Sequence, residues 1–117
     1  MSKILVVDDN PSIRLLCERI LEESYEVVLA PTRTEALDRL QGEPFDLLLT
    51  DLMMPNMDGL TLLDRASKLR PTLKRVAMTG SLSAEVEQRL HEGVFPCELI
   101  RKPFTPDLLQ DVVRHTL

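Results

Sequence analysis

The sequence predicts an α/β fold, a doubly wound parallel sheet with helices on both faces. Short apolar runs alternate with amphipathic stretches five times along the chain, as strands joined by helical crossovers do. The runs Ile4–Val7 and Leu47–Leu49 are apolar without interruption, which suits strands buried on both faces. Carboxylates stand where these runs stop, at Asp8, Asp9 and Asp51. Open α/β sheets keep their ligand sites at the carboxyl ends of strands.

The length of 117 residues suits a single domain over residues 1–117. A composition of 44% hydrophobic and 28% charged residues supports a real core, and 3% aromatic residues make it aliphatic. The net charge of −5 argues against direct nucleic-acid binding or an anionic membrane surface. Basic residues are scattered apart from Lys74-Arg75 and Arg101-Lys102. Cys17 and Cys97 form neither a CxxC pair nor a disulfide framework, and both are expected as buried thiols. No signal peptide, transmembrane run or low-complexity segment is present, so the expectation is a soluble, cytoplasmic protein without membrane insertion.

Taken in order, Lys3–Val7 opens the chain as a strand. Asn10-Pro11 then starts a helix, with Asn as cap and Pro at the first helical position. Ile13, Leu16, Cys17, Ile20 and Leu21 fall on one face of it. Val27–Leu29 forms a second strand. Thr32-x-x-Glu35 is a capping box leading into Ala36, Leu37 and Leu40, with Gly42 as the stop. The strand ending in Asp51 comes next, followed by a turn region holding Pro55, Asn56, Asp58 and Gly59. Leu62, Leu63, Ala66 and Leu69 mark a third helix, closed by Pro71. Val76–Met78 is a fourth strand, stopping at Thr79-Gly80. Ser83 caps a fourth helix with a thin apolar side (Ala84, Val86, Leu90), which Gly93 ends. Leu99-Ile100 is the last strand. Thr105-Pro106 starts the final helix, whose expected buried face is Leu108, Leu109, Val112 and Val113.

In a parallel sheet the strand ends share one edge. Asp8, Asp9, Asp51, Thr79 and Lys102 therefore converge although they are remote in sequence. Each has a bland alternative: Asp51 opens a turn, Asp8 and Asp9 favour a helix N-terminus, Thr79 is a turn hydroxyl and Lys102 a surface lysine. Their coincidence at one edge favours a site. Close carboxylates repel, and a hard divalent cation together with Lys102 compensates them. Magnesium prefers one or two carboxylates plus waters and phosphate oxygens.

The set Val6-Val7-Asp8-Asp9, Asp51-x-x-Met54-Pro55-x-Met57-Asp58-Gly59, Met78-Thr79-Gly80 and Lys102-Pro103-Phe104 resembles the receiver domain of two-component response regulators. The resemblance covers nearly the whole chain. It implies a flavodoxin-like (βα)5 sheet of order 2-1-3-4-5. It also implies that Asp51 takes a phosphoryl group from a phosphohistidine on a histidine kinase or histidine phosphotransfer protein. By the same resemblance, Asp8, Asp9, Asp51 and the backbone carbonyl of Met53 form a Mg2+ site. Thr79 and Lys102 contact the phosphoryl oxygens, and Lys102-Pro103 matches the family's cis peptide. The chain then catalyses its own phosphorylation and dephosphorylation, turns over no external substrate, and controls an unidentified output. Ile13, Pro103 and Phe104 match the apolar surface that faces the phosphodonor. The residues fit this chemistry in their own right: a carboxylate can act as nucleophile, and phosphoryl transfer depends mainly on positioning and charge.

The chain departs from the family pattern in three places. Leu99 stands where the family usually has the aromatic partner of the switch threonine, so a muted change is expected there. The larger response is expected in the Thr79–Ser83 loop and the fourth helix. The segment Gly93 to Lys102, with Phe95-Pro96, is longer than the common spacing. Met53 and Ser81 occupy the variable positions that influence phosphate loss, and an apolar Met53 side chain cannot hold an attacking water. Two other functions compete. A haloacid-dehalogenase-like phosphatase needs a second Asp two residues after the nucleophile, where Met53 stands. A phosphorylation-independent module on the same fold tends to lose site residues that are all present here.

Overall fold

The computed structural model describes residues 1–54, 57–80 and 97–117. Strands β1 (Lys3–Val7), β2 (Glu26–Ala30), β3 (Leu47–Asp51), β4 (Lys74–Thr79) and β5 (Glu98–Arg101) form a five-stranded sheet. Every pairing in it is parallel and the order is β2-β1-β3-β4-β5. The expected flavodoxin-like order is thus observed. Helices α1 (Pro11–Leu21), α2 (Arg33–Gly42), α3 (Gly59–Leu69) and α4 (Pro106–Thr116) accompany the strands. The helix expected between Ser83 and Gly93 lies outside the described residues, as do Pro55, Asn56, Ser81 and Phe95-Pro96.

The helix starts follow from their capping residues. Asn10 Oδ1 accepts the Ser12 N–H at 2.9 Å, Thr32 Oγ1 that of Glu35 at 3.2 Å, and Thr105 Oγ1 that of Leu108 at 3.1 Å. Each bond satisfies a donor that the first turn leaves without an intrahelical partner. Pro11 and Pro106 occupy the first helical positions of α1 and α4, where a missing N–H costs nothing.

Alternation along the buried strands divides the core into two layers. Leu5, Val7, Leu48 and Ala77 face α2 and α3, against Ala36, Leu40, Leu62, Leu63 and Ala66. Ile4, Val6, Leu47, Leu49, Val76 and Met78 face α1 and α4, against Cys17, Leu21, Leu109 and Val113. Cys17 and Cys97 pack on opposite faces of the sheet, which keeps them from pairing. Burial pushes the Cys17 thiol up to about 12 and the Cys97 thiol up to about 11, so both are protonated and unreactive near neutral pH.

Four expectations need correction. Leu16 and Leu108 are 41% and 44% exposed. Each lies one residue, about 100°, round its helix from the buried Cys17 or Leu109, so the buried stripe is narrower than the apolar pattern. Cys97 is only half-buried, because it sits just before β5 at the margin of its layer. Asp58 and Gly59 do not simply form a turn. Met53–Met54 pairs antiparallel with Met57–Asp58, and Gly59 is already the first residue of α3.

Leu48 is fully buried at the centre of one layer. Leu48→Ala is expected to cost about 2–5 kcal/mol of stability, read from the urea unfolding midpoint. A loss below about 1 kcal/mol would mean that this layer collapses around the deletion.

Candidate functional site

The carboxyl edge of the sheet is where the chemistry gathers. β1 carries its ladder through Val7, and the Asp8 N–H extends it with one bond to the Ala30 carbonyl at 3.3 Å. The Asp8 side chain is fully buried. Its Oδ1 accepts the Asn10 N–H at 2.9 Å, and its Oδ2 accepts Lys102 Nζ at 2.8 Å. Asp51 ends β3, is 5% exposed, and accepts the same Lys102 ammonium on Oδ2 at 3.1 Å. Asp9 stands at the open side, exposed. Ligand oxygens of Asp8, Asp9 and Asp51 lie within 4.8 Å of one another.

Lys102 reaches this cluster because the end of β5 is tied to the end of β4. Its backbone N–H donates to the Thr79 carbonyl at 2.8 Å, and the Lys102–Pro103 peptide is cis. Thr79 is buried as the last residue of β4, so it shares the edge with the carboxylates. The five residues expected to converge are therefore together.

A family model for the response regulator receiver domain matches residues 4–114. The chain belongs to the response regulator receiver domain family. As a receiver it is a phosphoacceptor signalling domain of two-component systems, not an enzyme that turns over an external substrate. The response regulator receiver protein CpdR of Brucella abortus is 42% identical over 116 residues, covering 98% of this chain and 93% of that protein. The sensor histidine kinase RcsC of Salmonella typhimurium is 38% identical over 112 residues, covering 94% of this chain but 12% of that kinase. A CheY-like receiver from Methanospirillum hungatei superposes with a TM-score of 0.89 at 37% identity, covering 99% of this chain and 94% of that one.

The remaining residues singled out from the sequence differ in burial and position. Ile13 and Phe104 are half-buried against the layer under α1 and α4, while Pro103 is exposed. Leu99 is half-buried, pairs with Ala77, and so lies on the sheet face that Thr79 shares. Met53 follows Asp51 by two residues within the short antiparallel ladder. Sequence reasoning missed Arg14, whose Nη1 donates to the Asp8 carbonyl at 2.6 Å. The available signal was a basic residue one turn into the helix after the acidic pair.

Burial, hydrogen bonds and neighbouring charges shift two groups. Partial desolvation, then the charge of Asp8, a hydrogen bond with it and the charge of Asp51 push Asp9 above the ordinary aspartate range, against an opposing backbone hydrogen bond. Burial works against the Lys102 ammonium. Its hydrogen bonds to Asp8 and Asp51, and their charges, outweigh that and leave it above the ordinary lysine value. The stabilisation from Lys102 is thus complete at neutral pH and is lost only as pH rises through its raised folded pKa. These hard oxygen donors, three carboxylates against one ammonium, fit a divalent cation of the magnesium type.

No helix among the described residues is long and apolar enough to cross a membrane.

The sign for Asp9 is the reverse of a salt-bridged aspartate. With its folded pKa raised, this group favours the metal-free receiver in the protonated form, and that contribution is lost as pH rises through the folded pKa. A cation requires the ionised form, so protons compete with it. Magnesium titrations at about pH 5 and about pH 7.5 are expected to show weaker binding at the lower pH. Equal affinity at both would contradict the shift.

Proposed function

We propose that Asp51 is the phosphoacceptor and takes its phosphoryl group from a phosphohistidine on a histidine kinase or histidine phosphotransfer protein. The observation that carries this reading is the ammonium of Lys102 bridging Asp8 and Asp51 at 2.8 and 3.1 Å. The bridge holds one carboxylate at a strand end beside a fixed positive charge. A carboxylate oxygen of Asp51 attacks phosphorus in line with the departing imidazole nitrogen; the P–N bond breaks as the P–O bond forms. Lys102 and the Thr79 hydroxyl then hold the phosphoryl oxygens. Asp8, Asp9, Asp51 and the backbone carbonyl of Met53 are the residues to hold Mg2+, which when bound supplies charge neutralisation for the phosphoryl oxygens.

The same arrangement serves loss of the phosphoryl group to water, so the receiver promotes its own dephosphorylation. Ile13, Phe104 and the exposed Pro103 form the apolar docking surface for the phosphodonor in this reading. Thr79 moves toward the new anion because a hydroxyl gains a charge-assisted hydrogen bond there, and that movement is the switch read by an output domain or partner. Leu99, on the same face, takes the place of the aromatic partner in that readout. The chain acts as one receiver domain over residues 1–117. Its phosphodonors place it in the cytoplasm, and its net charge of −5 makes a protein output surface fit better than direct nucleic-acid contact.

Incubation with acetyl phosphate and magnesium, followed by mass spectrometry of the intact protein, tests the reading. One phosphoryl group per chain is expected in the wild type and none in Asp51→Asn. Labelling of Asp51→Asn at the wild-type level would move the acceptor elsewhere.

A further inference from the structure

Arg14 is the one basic side chain besides Lys102 that the described residues bond to the acidic turn. Its half-buried guanidinium donates from Nη1 to the carbonyl oxygen of Asp8 at 2.6 Å, reaching back six residues. That oxygen belongs to the peptide group joining Asp8 to Asp9. The peptide is planar, so holding its oxygen restricts both the rotation before it, at Asp8, and the rotation after it, at Asp9. The direction in which the Asp9 side chain leaves the backbone follows from those two rotations.

The other bonds of the turn constrain Asp8 far more than Asp9. The Asp8 N–H is tied to Ala30, and its two carboxylate oxygens are tied to Asn10 and Lys102. Asp9 is exposed beyond the last sheet pairing. Arg14 is itself well anchored, because its own N–H donates to the Asn10 carbonyl at 3.1 Å in the first turn of the capped helix α1. The brace therefore runs from a rigid helix to the peptide plane that precedes an exposed carboxylate.

We propose that Arg14 is a positioning residue that sets the Asp8–Asp9 peptide plane and so aims the Asp9 carboxylate at a divalent cation. The proposal rests on the reading of the acidic cluster as a magnesium site. Two roles for Arg14 predict opposite signs. Acting only as a nearby positive charge, it repels the cation, and its removal tightens binding. Acting as a brace, it lowers the freedom of a ligand, and its removal weakens binding.

The test is magnesium affinity, by NMR or calorimetric titration at fixed ionic strength, in wild type, Arg14→Met, Arg14→Ala and Arg14→Lys. Met keeps the length of the side chain without the donor. Ala, the best helix former, carries the test if Met disturbs packing. Circular dichroism and thermal unfolding of the metal-free proteins report whether each variant is folded. Binding about tenfold weaker is expected in the Met and Ala variants, the scale on which partners of metal ligands act. Lys, with a donor restored, is expected to lie between them and the wild type. At saturating magnesium the acetyl phosphate labelling rate of Arg14→Ala is expected to return to the wild-type value, because the defect lies in affinity. Equal or tighter magnesium binding in a folded Arg14→Ala, with the wild type binding normally, would overturn the brace alone. No magnesium binding by the wild type would overturn the metal reading and the brace with it.

Discussion

The bridge from the Lys102 ammonium to Asp8 at 2.8 Å and to Asp51 at 3.1 Å is the interaction on which the site depends. Two like charges about 4 Å apart repel by on the order of 4 kcal/mol at an effective dielectric of about 20. That is a large share of the roughly 5–15 kcal/mol that holds a domain together. Asp8, Asp9 and Asp51 crowd within 4.8 Å, and Lys102 offsets part of the repulsion while accepting the cost of its own burial. Three carboxylates outnumber the one ammonium that bridges them, and such an oxygen-rich, acidic cluster suits a divalent cation.

The fold makes this crowding possible without long-range coincidence. Parallel pairing lines up the ends of β1, β3, β4 and β5, so each strand contributes its last residue or the one just after it to one edge. The layers on either side are filled by aliphatic side chains in fixed alternation, which leaves the edge little freedom to relax apart. The Lys102 N–H on the Thr79 carbonyl at 2.8 Å couples the ammonium to the hydroxyl-bearing strand end. The phosphoryl group proposed for Asp51 would therefore act on Lys102 and Thr79 as one connected unit, which is the arrangement a switch requires.

Much of this was legible before any coordinates. The caps at Asn10, Thr32 and Thr105 announce their helices through side-chain oxygens and neighbouring prolines or Glu35, all local chemistry. The strand ends are legible because an apolar run has to stop somewhere, and stopping on a carboxylate in a buried strand is costly without a partner. Leu16 and Leu108 were misread because apolar character marks a helix face only to within one residue, and packing decides how much of it is covered. The ladder between Met53–Met54 and Met57–Asp58 was missed because two-residue pairings carry no periodicity. Arg14 was passed over because a basic residue on an amphipathic helix ordinarily points to solvent. Its bond to a backbone carbonyl depends on a turn geometry that residue types do not encode.

The central claim is that Lys102 and a divalent cation compensate the same negative charge. Magnesium affinity in Lys102→Met compared with the wild type tests it most directly, with metal-free thermal unfolding measured alongside. The account predicts that the variant is less stable without metal and binds magnesium more tightly, because removing the ammonium leaves the carboxylates to the cation alone. A variant that binds magnesium no more tightly than the wild type, with unchanged metal-free stability, would contradict it.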